Sequence, residues 1–162
     1  MQILRFTTEV EEYSHYKELP DKEQELIHFA IQAAKNAYAP YSGFSVGAAL
    51  LLSDGTIVSG SNQENVAYPS GLCAERTAMF WAGANHPGKA IQTLAIFAES
   101  EDFVVENPVY PCGSCRQVMS EYERIGKQPM RILMTAATGK VHAVNGLTNI
   151  LPVAFDADNL KR

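Results

Sequence analysis

Residues 91–98 (Ile-Gln-Thr-Leu-Ala-Ile-Phe-Ala) read as a buried strand, set between two stretches that read as helices, about 72–83 and 111–122. A further strand pattern follows at 130–136. Strand–helix–strand alternation of this kind requires a sheet that is at least partly parallel, with helices on its faces. The rest of the chain fits that frame. Asp21 with Gln24 three residues on has the pattern of a helix N-cap and its reciprocal partner. Leu26, Ala30, Ala33, Ala34 and Ala37 then share one side at helical spacing, and Pro40 ends the run. The alanines predict close packing against the sheet. Residues 46–52 and 56–59, joined through Asp54-Gly55, read as a β-hairpin. Residues 141–144 read as a short strand after the Thr138-Gly139 turn, and a last helix is expected near 148–151.

At 162 residues with 46% apolar content, the chain suits one domain around one core. It has no internal repeat, low-complexity tract or interior linker. Residues 1–20 are mostly polar and charged and read as an N-terminal extension, either an edge strand or an arm; residues 21–162 hold the domain. A net charge of −5 argues against a broad basic surface for nucleic acid, and no Lys/Arg run suggests a local one. The first residues lack the apolar core and cleavage site of a signal peptide, and no apolar stretch is long enough to cross a bilayer. A cytoplasmic protein without membrane association is expected.

Three cysteines cannot all pair in disulfides, and in a reducing compartment clustered thiols are more often metal ligands or catalytic groups. They occur in Cys73-Ala74-Glu75 and Pro111-Cys112-Gly113-Ser114-Cys115, each where a loop turns into a helix. Helix starts favour thiolate over thiol through their unpaired N–H groups and positive dipole end. The Cys112-x-x-Cys115 spacing puts two sulfurs on one turn, and Cys73 completes a three-thiolate site if the two helices lie side by side. Structural zinc sites are closed by a fourth protein ligand, whereas catalytic sites leave that position open. His15, His28, His86 and His142 are the candidates to close it, and none stands at ligand spacing from a cysteine. A structural zinc closed by a distant histidine, or unligated buried cysteines, remain alternatives on the cysteines alone. Glu75, on the same first turn as Cys73, weighs toward chemistry, because a carboxylate beside an open metal position can shuttle protons. Its other role is helix-terminal charge.

Cys-Ala-Glu followed downstream by Pro-Cys-x-x-Cys resembles the signature of the zinc nucleobase deaminases. With cysteine as the first ligand, it is similar to the small homotetrameric cytidine deaminases. The likeness extends through residues 37–49 (AYAPYSGFSVGAA), 62–68 (NQENVAY), 73–78 (CAERTA), 111–117 (PCGSCRQ) and 151–155 (LPVAF), covering roughly 21–158. The resemblance implies an α/β fold, a three-layer α-β-α arrangement with a mixed sheet of about five strands. It implies one Zn²⁺ per subunit held by Cys73, Cys112 and Cys115, with Glu75 moving protons during attack at C4 of cytosine.

Further roles follow from the same likeness. Arg76 would contact the thiolates and offset their charge. Asn62 and Glu64 would bind the ribose 3′-hydroxyl, Ala74 would offer backbone to the base, and Phe44 would line the base pocket. Phe155 would enter a neighbouring subunit's pocket, with Tyr68 near that interface. The expected substrates are the free nucleosides cytidine and 2′-deoxycytidine, in pyrimidine salvage, handled by a homotetramer with shared sites. Deoxycytidylate or a blasticidin-type substrate, and a non-catalytic structural-zinc module, are the competing readings.

Overall fold

A computed structural model of the protein describes residues 1–155 and 157–160. Among these, six strands and three α-helices alternate as β1 (Glu11–Tyr13), α1 (Asp21–Ala34), β2 (Phe44–Leu52), β3 (Ile57–Ser61), α2 (Ala74–Asn85), β4 (Ile91–Ser100), α3 (Gly113–Gly126), β5 (Arg131–Thr135) and β6 (Val141–Asn145). The sheet order is β1-β6-β5-β4-β2-β3. Only β4 and β5 run parallel, bridged by α3; every other pair is antiparallel. The expected mixed α/β sheet is present with six strands, one more than expected, because the N-terminal segment adds β1 to the edge of β6.

Period-two alternation distributes the sheet's side chains to two cores. Ala48, Leu50, Leu94, Ile96, Ile132 and Met134 face α2 and α3, packed with Ala78, Met79, Cys115 and Met119. Ala49, Ala95, Phe97, Leu133 and Ala143 face α1, packed with Leu26, Ile27, Ala30 and Ala34. The result is the expected three-layer arrangement. Two glycines set how closely the helices approach. A Cβ on Gly47 of β2 would overlap the Ala30 carbonyl oxygen and stand 2.5 Å from Ala34 N, so α1 lies with its backbone directly on the sheet. A Cβ on Gly60 of β3 would stand 2.7 Å from Ala78 N and 3.1 Å from Ala74 O, which seats the first turns of α2 just as closely.

Some local readings are corrected. Asp21 is the first helical residue, not the cap: Pro20 precedes it, and its carbonyl accepts from Glu23 and Gln24 N–H at 2.9 and 3.1 Å. Gln24 instead turns its side-chain amide back to the Leu19 carbonyl at 2.7 Å. Helix α1 ends at Ala34 rather than Ala37, because the chain peels away to bond strand-like with residues beyond β3, Tyr38 N–H to Asn62 O at 3.0 Å and Glu64 N–H to Tyr38 O at 2.8 Å. The last helix expected near 148–151 is a single 3₁₀ turn, Leu147–Asn149. Residues 1–10 have no regular structure and are exposed, so only Glu11–Tyr13 of the N-terminal extension forms an edge strand, and Leu19 is already buried in the α1-side core. No described helix is long and apolar enough to cross a membrane.

Candidate active site

Helices α2 and α3 start at cysteines. Cys73 and Cys112 occupy the N-cap positions in extended conformation, and neither sulfur caps its own helix by a hydrogen bond. Both sulfurs are therefore free to turn toward each other across the ends of the two helices. Cys73 Sγ lies 3.9 Å from Cys112 Sγ, and Cys112 Sγ lies 3.5 Å from Cys115 Sγ, with all three within 4.8 Å of one another. Tetrahedral zinc–sulfur bonds of about 2.3 Å separate the sulfurs by roughly 3.8 Å, so the donor set and its spacing fit Zn²⁺.

Among the described residues no fourth histidine, cysteine or carboxylate joins the cluster. The histidines that could have closed it are engaged elsewhere. His15 caps the turn at Tyr16–Glu18, His28 packs edge-on to Tyr16, His86 sits at the end of α2 against Trp81, and His142 bonds Glu12 and Tyr110. The structural-zinc alternative thus loses its proposed fourth ligands.

Glu75, in the first turn of α2, is 4% exposed. A solvated helix-terminal charge would lie at the surface, so burial excludes that role. Desolvation pushes the carboxyl pKa up from its usual range, reinforced by the negative charge of the Cys73 thiolate. Hydrogen bonding from Cys115, helped by Arg76, brings the Cys73 thiol down to about 5, while Cys115 is pushed up by the same pairing and by burial. Cys73 therefore gives up its proton readily, whereas its neighbour Cys115 holds on to its own. Arg76 Nη2 donates to Cys73 Sγ at 3.6 Å, and its Nε is buried without a hydrogen-bond partner.

These groups open into a cavity of about 580 Å³ whose wall includes Cys73, Ala74, Glu75, Arg76 and Cys112. Asn62, Glu64 and Tyr68 line the same cavity. Asn62 is held in one orientation, Oδ1 accepting from Val46 N–H at 2.8 Å and Nδ2 donating to Phe44 O at 2.9 Å, which leaves one amide N–H free. The Glu64 carboxylate accepts from Tyr41 N–H and from the Ser42 hydroxyl, and these bonds lower its pKa. Phe44 and Phe155 do not line the cavity of the single chain. Phe44 stacks on Phe103 with centroids 6.3 Å apart, and Phe155 is 63% exposed, its carbonyl accepting from Gln117 Nε2 at 2.8 Å.

Arg116 and Tyr110 have no role in the reading from sequence. Arg116 donates to the carbonyls of Pro111 and Ile150, both at 2.8 Å, and so ties the loop before Cys112 to the C-terminal turn. Its place directly after Cys115 is the only cue in the chain. Tyr110 lines the cavity and bonds His142, 32 residues on, a contact no local pattern announces.

The family model of the cytidine and deoxycytidylate deaminase zinc-binding region matches residues 20–130. Similar proteins include the cytidine deaminase of Halalkalibacterium halodurans, 39% identical over 137 residues (85% of this chain, 96% of the relative), and that of Sporosarcina psychrophila, 41% identical (85% and 93%). Among solved structures, the chain resembles the cytidine deaminase of Burkholderia pseudomallei with TM-score 0.70 and 41% identity (81% of this chain, 97% of that one), and that of Mycobacterium tuberculosis with TM-score 0.61 and 35% identity (82% and 95%).

Proposed function

Because this chain belongs to the cytidine deaminase family, we propose that it hydrolyses cytidine and 2′-deoxycytidine to the uracil nucleosides and ammonia, acting on free nucleosides in pyrimidine salvage. The observation that carries this reading is the buried Glu75 carboxyl beside three sulfurs at zinc-binding spacing, on the wall of a nucleoside-sized cavity.

Cys73, Cys112 and Cys115 hold the zinc. When bound, Zn²⁺ supplies Lewis acidity that brings the pKa of water down toward neutrality. Arg76 and the two helix N-termini offset the negative charge of the thiolates. Glu75 does the proton work: it accepts a proton from water as the oxygen bonds C4 of cytosine and delivers it to N3, then moves the proton of the new C4 hydroxyl to the amine, which leaves as ammonia as the C4–N bond breaks. Its raised pKa suits the task, since a carboxyl that holds a proton nearer neutrality can both receive and release one.

Asn62 and Glu64 bind the sugar hydroxyl, supported by their shared position on the cavity wall. Ala74 offers backbone to the base. Phe44, whose carbonyl accepts from the cavity-wall residue Asn62, lines the base pocket in this reading. Phe155 enters a neighbouring subunit's site and Tyr68 lies at that interface, a reading their exposure supports. The assembly is a homotetramer in the cytoplasm. A free nucleoside is favoured over deoxycytidylate because Arg76 is the one Lys or Arg on the described cavity wall, and it faces Cys73. Incubation of zinc-loaded protein with cytidine, followed by the ultraviolet shift to uridine, tests the reading. A folded, zinc-replete preparation that leaves both nucleosides unchanged overturns it.

A further inference from the structure

A chain of hydrogen bonds leads from the cavity wall to the outermost strand of the sheet. The Tyr110 hydroxyl bonds His142 Nδ1, and His142 Nε2 lies 2.7 Å from Glu12 Oε2. The Tyr110 and His142 rings are 5.7 Å apart and tilted by 34°. The Glu12 end sets the polarity. A carboxylate only accepts, so Nε2 carries the hydrogen; in the neutral imidazole Nδ1 is then the acceptor, for which the Tyr110 hydroxyl is the donor.

Each member is held in turn. Glu12 stands opposite His142 in the β1–β6 register and pairs with Lys140 at 2.9 Å. Arg131 grips neighbouring Glu11 through its two terminal guanidinium nitrogens, at 2.9 and 2.8 Å. At the cavity end, Tyr110 directly precedes Pro111, whose carbonyl Arg116 holds, and then the ligand position Cys112. The loop carrying Cys112 is thus fastened by its backbone on one side and by the Tyr110 side chain on the other. Glu12 and His142 both lie outside the segment matched to the family, residues 20–130.

We propose that Tyr110 is a positioning residue for the nucleoside cavity, its ring held by His142 and, through it, by Glu12, so that β1 is part of the active-site architecture. The inference rests on the deaminase reading for its kinetic consequence alone. His142, 16% exposed in its side chain, is the shielded member between Tyr110, 46% exposed, and Glu12, 59%, so solvent weakens both bonds.

The test compares Tyr110→Phe, His142→Ala, His142→Asn and Glu12→Gln as zinc-loaded enzymes. Tyr110→Phe and His142→Ala are expected to raise KM for cytidine about three- to tenfold with kcat little changed, the range for losing one hydrogen bond. Zinc content should equal that of the parent. His142→Asn, whose Oδ1 can accept at the Nδ1 position, should restore most of the loss, and Glu12→Gln should have the smallest effect. Unchanged KM in Tyr110→Phe and His142→Ala overturns the proposal, as does a lowered melting temperature without a KM change, which would make the chain a brace for the sheet edge alone. If His142→Ala fails to fold, Tyr110→Phe decides. A parent that turns over no nucleoside defeats the deaminase reading instead, and the chain is then judged by nitrogen NMR of the imidazole. The Nε2–H tautomer is expected, and the Nδ1–H tautomer overturns it.

Discussion

Glu75 is one of three buried polar or charged side chains among the described residues. An ionised carboxylate at that depth is costly without a partner, and what raises its pKa, desolvation first and the Cys73 thiolate next, also gives it a proton to move. Glu75→Gln should keep zinc at parental stoichiometry, hold or raise the melting temperature, and lower kcat by about 10² to 10⁴. Metal analysis beside steady-state kinetics checks this; loss of zinc together with activity would instead make Glu75 a structural support for the metal site. The three cysteines and Glu75 were legible in the chain because each half of the site is a compact local motif, Glu75 two residues after Cys73 and Cys115 one turn after Cys112, even though the halves lie 39 residues apart. Tyr110, Arg116 and His142 were not, since their contacts span 32, 34 and 130 residues and exist only after folding.

At the scale of elements, apolar periodicity located β2 to β6 and all three helices to within a few residues, because each buries a face against the sheet. Strand β1 escaped clear assignment for the opposite reason: Glu11, Glu12 and Tyr13 bury almost nothing and are held by backbone pairing and by Arg131 and Lys140. That attachment is pH-dependent. Hydrogen bonding from Arg131, then from Tyr13, lowers the Glu11 pKa from 4.5 to about 2. A carboxyl depressed on folding contributes stability above its unfolded pKa and loses it as pH falls toward the folded value. The melting-temperature gap between the parent and Glu11→Gln should therefore be present at pH 7, narrow below about pH 4.5 and close near pH 2; because Glu11 is mostly exposed, the gap is small throughout. The alanine face of α1 was readable, but its partner Gly47 was not, since a glycine in a strand does not announce which backbone lies on it. Gly47→Ala should lower stability by roughly 1–3 kcal/mol or more, seen as a lower denaturation midpoint, because its Cβ meets helix backbone that cannot move aside.

The whole molecule leaves large aromatic side chains uncovered: Tyr68 is 75% exposed, Phe103 60%, Phe155 63% and Trp81 51%. Tyr41 and Tyr68 meet edge-on with centroids 6.0 Å apart, and both line the cavity. The proposed homotetramer would cover some of these side chains, Phe155 and Tyr68 among them. Light scattering should give four times the chain mass. Phe155→Ala should keep that mass and raise KM for cytidine; unchanged kinetics would remove Phe155 from the site.

The sulfur ligands come from two helix starts 39 residues apart, with β4 between them in sequence and at the middle of the sheet. A growing polypeptide offers first one sulfur and then, once Cys115 has been made, a close-spaced pair. The trio exists only where the folded sheet holds α2 and α3 on one face with their first turns together. Zinc retention would therefore report that the domain has assembled, since the two helix starts are not neighbours in the unfolded chain.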